Sequence, residues 1–586
     1  MKRNPSQRGI SRRRMLADFG AAITAGSAGA IAAKPARAAS AAAGGEEMTE
    51  TADIVVIGLG AAGAAAAIDA ARLGASVAVL EKQPEKAHVP ATRLSSGVFQ
   101  CPERRIDAAV LERYIASNYA SGGADLLRNG RLDPVLAAYA RVWATLAPDT
   151  LDWLRSLDPD FGAVSSGSLT APQFISPSDE YWPAIRSHIS TYTRRARENR
   201  STFDAPKAEK SRGEALYTCL LNGVRKERGV RLHFSTRAIG LIREDGRVTG
   251  VRAADAEGRM HCFCARRGVI LAAGGFGFNR EMREGLLPYG LSDLWAAAGS
   301  PASTGDGIRM ALEVGGAIIS PGNHLARFAV LLPEKVSDTR LGFLLTRLGC
   351  PHSILTDHYG RRFRPESDFR ESEFHYGFIQ SVQYFDRATL SLPRLPVWMI
   401  FDASVLRSGC LVKLCEGVAA TGLISWSPDN LEAVERGWIL SAPTIDGLAR
   451  KIAAHENNMG RMRPEILVET VERFNQFAAA GRDYDLDAAP QGMAELREAP
   501  FYALPVSTDL PFMSSGLRTG PEKEVLDWSG RPIAGLFAAG EMAPASRLVQ
   551  DRGGSMSDCL VFGRSVGAHV AMLEPHERKR SELGGE

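Results

Sequence analysis

The chain has 586 residues, of which 45% are hydrophobic, and a formal net charge of +3. That is enough chain and apolar surface for a large core and roughly two to four domains, and the eight cysteines are too sparse for a disulfide scaffold. The first 38 residues hold eight basic side chains against the single acid Asp18, so without them the balance falls to about −4 and nucleic-acid binding has no electrostatic support.

Those first residues read as an address. Ser11-Arg12-Arg13-Arg14-Met15-Leu16 fits a twin-arginine signal, followed by an Ala/Gly-rich run from Ala17 to Ala33 and a small-x-small cleavage site at Ala36-Arg37-Ala38. The alternative is a disordered basic tail. The run is too short and too Gly-rich for a bilayer span, which needs about 20 apolar residues. No later run is long enough either, so stable membrane insertion is not expected. The mature protein is expected in a bacterial periplasm.

Residues 53 to 82 carry the densest signal. Ile54 to Ile57 form an apolar run suited to a parallel strand covered on both faces. Gly58, Gly60 and Gly63 follow in the spacing of a dinucleotide turn: one glycine for the turn, one for pyrophosphate approach and one for helix-to-sheet contact. The helix that opens at Ala61 and Ala62 offers unpaired N–H groups to a phosphate. Glu81, 18 residues after Gly63, stands where an acid accepts from an adenosine ribose. The loop beyond it contains His88, Thr92, Ser95, Ser96 and Gly97.

Apolar spacing predicts helices over 134–158 and 213–228, then strands over Val230 to Phe234 and Ala238 to Ile242. Glu244-Asp-Gly-Arg-Val-Thr-Gly-Val251 predicts a hairpin at Asp-Gly. Cys262 and Cys264 lie on one face of a strand and read as core packing, since no metal-type CxxC partner exists and CxxCH is absent. Gly268-Val-Ile-Leu-Ala-Ala-Gly-Gly-Phe-Gly-Phe-Asn279 is a strand running into glycines, Thr304-Gly-Asp-Gly-Ile308 opens a helix, and Gly535-Leu-Phe-Ala-Ala-Gly-Glu541 is a further strand ending in an acid. Between them, about 325 to 510 reads as helices and irregular segments rich in Pro and Arg.

In order and spacing these segments resemble the FAD-binding flavoprotein superfamily of fumarate reductase and succinate dehydrogenase, which also includes urocanate reductase, tricarballylate dehydrogenase and 3-ketosteroid Δ1-dehydrogenase. The resemblance implies an α/β fold: a discontinuous Rossmann-like FAD-binding domain over 50–324 and 511–573, with an inserted α+β capping domain over 325–510, after a signal at 1–38. It implies FAD contacts from Gly58, Gly60, Ala61, Ala62, Gly63, Glu81, Lys82, Thr92, Ser96, Gly97, Ala238, Ala273, Gly274, Gly275, Asp306, Gly540, Glu541 and Ser555. No second complete fingerprint is present, so a separate nicotinamide domain is not expected. Respiratory relatives tether FAD through a histidine near His88, which is otherwise a surface histidine.

For the chemistry, Gly360-Arg-Arg-Phe-Arg-Pro-Glu366-Ser-Asp-Phe-Arg370-Glu371 resembles the G-x-R-F-x-N-E-x-x-x-R-D segment of soluble fumarate and urocanate reductases. The resemblance makes Arg370 the proton donor; the alternative is a surface arginine paired with Glu371 and Asp368. Arg547 or Arg552 becomes the clamp on a substrate carboxylate. Leu345-Thr-Arg-Leu-Gly349 lacks the relay glutamate of fumarate reductases, and Pro511-Phe512-Met513 stands where they carry a histidine; His324 could replace it. The expected activity is hydrogen transfer across a C–C bond next to a carboxylate or similar group, with a separate electron donor or acceptor such as a cytochrome, quinone or dye. A ketosteroid dehydrogenase-like enzyme is the alternative, against which the missing Tyr-Pro-Gly before the last helix counts, though Tyr376 leaves it open. An electron-transfer subunit without substrate chemistry is a third reading. No metal site is expected.

Overall fold

A computed structural model describes residues 48–120, 127–128, 131–169, 185–191, 212–287, 294–297, 299–320, 327–366, 381–414, 423–487, 492–510, 513–545 and 554–576. Strand β1 (Met48–Ile57) is exposed at its start and buried over its last six residues, as an apolar run flanked by parallel neighbours requires. It turns at Gly58 into helix α1 (Ala61–Arg72), which returns to β2 (Val77–Leu80). Helix α2 (Arg212–Lys226) leads to β3 (Val230–His233). Then come β4 (Arg237–Glu244), β5 (Arg247–Ala254) and β6 (Met260–Leu271).

Seven strands follow that belong to another sheet: β7 (Ala296–Ala297), β8 (Arg327–Val336), β9 (Thr339–Leu344), β10 (Ser353–Thr356), β11 (Val397–Phe401), β12 (Leu440–Ala442) and β13 (Phe501–Leu510). Helix α3 (Asp306–Glu313) lies between β7 and β8. The chain then returns to the first sheet as β14 (Glu524–Leu526) and β15 (Pro532–Ala538), and closes with α4 (Gly554–Met572).

The first sheet has the order β14-β15-β6-β1-β2-β3, with β5 on β6 and β4 on β5. Its central pairs, β15 with β6, β6 with β1, β1 with β2 and β2 with β3, are all parallel. Their C-terminal ends therefore line one edge, where α/β sheets bind ligands. Helix α4 packs on α1 through small residues. A Cβ on Gly563 would stand 2.5 Å from the carbonyl oxygen of Ala62, and one on Gly567 would stand 2.2 Å from that of Ala66. Alanine and glycine thus bring the two helices to backbone contact, with Gly563 of α4 beside Ala62 at the start of α1.

Several expectations hold and others need correction. The Asp245-Gly246 hairpin forms with positive φ at both residues, 49° and 82°, as the tight hairpin turn demands. The β4–β5 hairpin extends the first sheet through β6. The helix over 134–158 breaks into Pro134–Leu146, a single 3₁₀ turn Ala147–Asp149 and Thr150–Leu157, because Pro148 lacks the N–H that a continuous helix needs. Cys262 and Cys264 share a face, but it is the half-exposed one; Phe263 and Ala265 between and beside them face the core. Residues 327–510, read as helices and irregular segments, are organised around a sheet in the order β7-β9-β8-β13-β11-β10, with β12 on β13. The strands were hard to see because they are buried on both faces, as in β11 (VWMIF, all buried), and give no alternation. Among the described residues no helix is long and apolar enough to cross a membrane.

Candidate functional site

The edge of the first sheet is built mainly from residues without bulky side chains. Gly58 has φ +101°, and a Cβ there would stand 2.5 Å from the carbonyl oxygen of Ala272. A Cβ on Gly63 would stand 2.0 Å from the carbonyl oxygen of Gly58, so this glycine sets how closely α1 lies on the sheet. Gly60 differs: it has extended backbone (φ −84°, ψ −169°), and a Cβ would meet only the Thr92 hydroxyl at 3.6 Å. The space beside Gly60 is an open cradle at a helix N-terminus, the place where a pyrophosphate fits between Gly60 and the first-turn N–H groups of α1. Thr92 already belongs to it, accepting a hydrogen bond from the Ala61 N–H at 2.8 Å. Ala62, buried in the same turn, touches the position where a Gly540 Cβ would be, at 2.8 Å.

Glu81 ends β2 beside this turn. Its carboxylate accepts from the N–H of Leu59 at 3.1 Å and of Gln83 at 2.8 Å. Burial works to raise its pKa, but attraction to His88 and the two backbone donors outweigh it and hold the carboxyl below its ordinary value. An ionised acceptor at this position suits ribose hydroxyls. Lys82 turns away to bond Thr304 at 2.7 Å and Asp306 at 3.0 Å. Burial raises the Asp306 carboxyl, and Lys82 with Arg237 more than reverses this, leaving it lowered. Lys82 and Asp306 therefore join the end of β2 to α3, and Arg237 of β4 also pairs with Asp306, while the next residue, Ala238, is buried. Ser96 and Gly97 lie in the loop after Thr92, and the left-handed Gly97 (φ +60°) packs against the backbone of Arg212 and Gly213 at the start of α2.

Across the edge, Ala273, Gly274 and Gly275 follow β6 and meet the turn that follows β15. Glu541 accepts from the Met513 N–H at 2.9 Å, and a Cβ on Gly275 would stand 2.5 Å from its Oε1. Burial pushes the Glu541 carboxyl up to about 7, against the hydrogen bonds from the N–H groups of Met513 and Gly275. Gly540 supplies the left-handed turn before it (φ +76°). Ser555 is half-buried in the first turn of α4. The structure thus gathers the glycines, Thr92, Glu81 and Glu541 along one edge.

The four residues assigned to substrate chemistry, His324, Arg370, Arg547 and Arg552, lie outside the described residues, as does Tyr376. The segment leading to Arg370 is described as far as Glu366. There Arg362 forks onto Glu366 and reaches Asp483 at 2.6 Å, with all three side chains almost fully buried and Phe474 stacked at 4.7 Å. Arg347, in the stretch aligned with the relay of fumarate reductases, is used elsewhere. Its guanidinium bonds Ser408 and the carbonyl of Cys410 at the end of a short helix, Ala403–Arg407.

Two clusters were invisible in the sequence. His88 is fully buried rather than on the surface: Nδ1 is 2.7 Å from the Tyr217 hydroxyl and Nε2 is 3.3 Å from Glu81. Lys523 is buried beneath the start of α4, with its ammonium 3.7 Å from the ring centre of Tyr139, 4.2 Å from that of Phe562 and 3.2 Å from the carbonyl of Ala543. Nearby, burial pushes Asp558 up to about 7 against the pull of Lys523, and Tyr119 donates to it at 3.0 Å. No motif links positions so far apart in the chain. Among the described residues no group of three or more His, Cys, Asp or Glu side chains could hold a metal.

A parallel sheet, a fingerprint turn and an acid directly after the second strand define a dinucleotide-binding domain. The chain belongs to the FAD binding domain family, whose match spans residues 53–557, and the superfamily resemblance drawn from its motifs is upheld. It is an FAD-dependent oxidoreductase, and FAD is its cofactor. It is 26% identical over 533 residues to a vinyl phenol reductase of Lactiplantibacillus plantarum, covering 89% of this chain and 96% of that protein. It is 27% identical over 375 residues to an NADH:acrylate oxidoreductase of Vibrio harveyi, covering 63% of this chain and only 33% of that larger protein. The 3-ketosteroid Δ1-dehydrogenase structure from Sterolibacterium denitrificans shares the fold, with a TM-score of 0.69 and 21% identity over 89% of this chain and 99% of that one.

Proposed function

We propose that this protein adds or removes two hydrogens across a C–C bond next to a carboxylate or similar electron-withdrawing group, exchanging electrons with a separate small carrier or protein, and that a twin-arginine signal delivers it folded to the periplasm. The observation that carries the reading is the buried Arg362–Glu366–Asp483 brace, which anchors the reductase-like segment four residues before Arg370. Support also comes from a relative named for acrylate, whose C=C bond lies next to a carboxylate, and from one named for vinyl phenol, which also carries a C=C bond.

FAD bound along the sheet edge supplies hydride transfer. The chain's own residues do the rest. Gly60 and the first turn of α1 would hold the pyrophosphate, Glu81 the adenosine ribose and Glu541 the ribityl or pyrophosphate region. The sheet over 327–510 acts as a cap that excludes water from the reacting bond. Arg370 passes a proton to the carbon opposite the hydride, and Arg547 or Arg552 forks onto the substrate anion.

An anaerobic screen of enoates, vinyl arenes and ketosteroids, following flavin oxidation by the unsaturated forms and reduction by the saturated ones, tests the substrate class. In the same assay Arg370→Ala is expected to keep FAD and dye-driven flavin reduction while turnover falls at least about 100-fold, the scale of a positioned acid. Arg370→Lys is expected to rescue poorly because it lacks the planar fork. Wild-type turnover by Arg370→Ala overturns the proton-donor role, and turnover of ketosteroids alone overturns the carboxylate reading.

A further inference from the structure

By the superfamily resemblance His88 lies near the position where respiratory relatives tether their flavin, and here the ring is enclosed on all sides. It has no exposed surface, and its ring edge packs on Phe234 at 5.6 Å and on Tyr217 at 5.3 Å. Nδ1 is hydrogen-bonded to the Tyr217 hydroxyl at 2.7 Å. Nε2 has no aligned hydrogen-bond partner and stands 3.3 Å from Oε2 of Glu81, the carboxylate that ends β2. The histidine is thus at the adenosine end of the fingerprint, behind the acid that faces the ribose.

The carboxylate sets the proton on the near side of the ring. A carboxylate oxygen only accepts, so with Oε2 of Glu81 at 3.3 Å the hydrogen belongs on Nε2. Nδ1 is left to the Tyr217 hydroxyl, which burial keeps protonated by pushing its pKa up to about 12 against the pull of Arg93. The surrounding charges are consistent with a fixed ring. Arg93 donates to the His88 carbonyl at 2.9 Å, lies over the Tyr217 ring at 5.6 Å and is paired with Glu214 of α2. Arg225 of the same helix is paired with Glu85.

We infer that His88 is a positioning residue for FAD: held by Tyr217, it directs Nε2–H at Glu81 and locks the carboxylate in the orientation that accepts the adenosine ribose. The same contact makes it unfit as a covalent tether, because one ring nitrogen is bonded to Tyr217 and the other faces Glu81. The inference rests on the FAD reading of the fingerprint and adds a third element, α2, to the ribose site.

The test is FAD binding to flavin-free protein, read by quenching of flavin fluorescence, with ADP displacement as the probe of the adenosine half. His88→Leu is expected to weaken FAD and ADP by the same factor, about 10-fold, the lower end of what an interaction with a charged group contributes. His88→Gln, which keeps an N–H donor, is expected to recover most of the loss, and Tyr217→Phe to lose an intermediate amount. Combined with Glu81→Gln, His88→Leu should add little further loss, since the two act as one unit. A role in folding alone would lower thermal stability without this ADP-specific pattern or the rescue by glutamine. Acid precipitation of the holoenzyme should release all flavin to the supernatant. Equal FAD affinity in His88→Leu, a loss for FAD but not for ADP, or flavin retained in the acid pellet would each overturn the inference. Wild-type protein binding neither FAD nor ADP would instead overturn the FAD reading itself.

Discussion

The cofactor edge and the sheet over 327–510 hold their shape by opposite means. At the edge, function depends on missing side chains: Gly58, Gly63 and Gly275 leave no room for a Cβ, and Gly60 leaves a cradle open. In the second sheet, position depends on buried charges that satisfy one another. Arg362 lies between Glu366 and Asp483, and Arg327 grips the fully buried Asp509 at 2.8 Å where β8 and β13 run side by side. A glycine edge is broken by adding atoms, and a charge brace is broken by removing them.

The sharpest test of that contrast lies within one motif. Gly63→Val drives a side chain into the Gly58 carbonyl and is expected to abolish folded, soluble protein. Gly60→Val has acceptable backbone angles and open space, so it should fold with a near-normal melting temperature but retain no FAD. Flavin retention measured beside circular dichroism separates the two outcomes; a yellow Gly60→Val protein would remove the cradle from the site.

On the charged side, Asp483→Ala leaves buried Arg362 with Glu366 alone. It is expected to cost about 3 to 5 kcal/mol in urea unfolding, the usual penalty for breaking a buried ion network. A cost under about 1 kcal/mol would show that water reaches the brace.

Glu541 lies on the edge but is a charged group, and it predicts a pH dependence. Its folded pKa is raised from 4.5 to about 7. Between those values the folded protein binds more protons than the unfolded chain, so stability falls as pH rises through that window and is flat from this group above it. In flavin-free protein, Glu541→Gln should therefore gain stability over wild type between pH 5 and pH 7.5, on the order of 2 kcal/mol. Parallel pH curves for the two proteins would contradict this. The smallest effect is expected at the half-exposed Arg72–Glu227 pair, 2.9 Å apart: Glu227→Gln should shift stability by less than about 0.5 kcal/mol in the same assay.

What could be read from the sequence follows the same division. The edge was legible because its parts are local: Gly58 to Glu81 is one strand, turn, helix and strand, and the spacing alone places each glycine. The buried braces were not, because their partners are distant. Arg362 meets Asp483 121 positions away, Arg327 meets Asp509 182 positions away, and His88 meets Tyr217 129 positions away. Lys523 stands in a Gly-Pro-Glu-Lys stretch with no local sign of burial; the rings of Tyr139 and Phe562 and the carbonyl of Ala543 that receive its ammonium lie elsewhere in the chain. Strands such as β11 were missed for another reason: with both faces covered, they show no alternation to read.

The topology also imposes a schedule on maturation. β1 and α1 are made well before β15, Glu541 and α4, and β15 must pair beside β6, with the second sheet's strands made in between. A nascent chain therefore exposes a fingerprint that can grip only half of its ligand, and a product stopped short of Glu541 lacks the far wall altogether. Full capture of the cofactor therefore waits for the strand and turn that bring Glu541 to the edge.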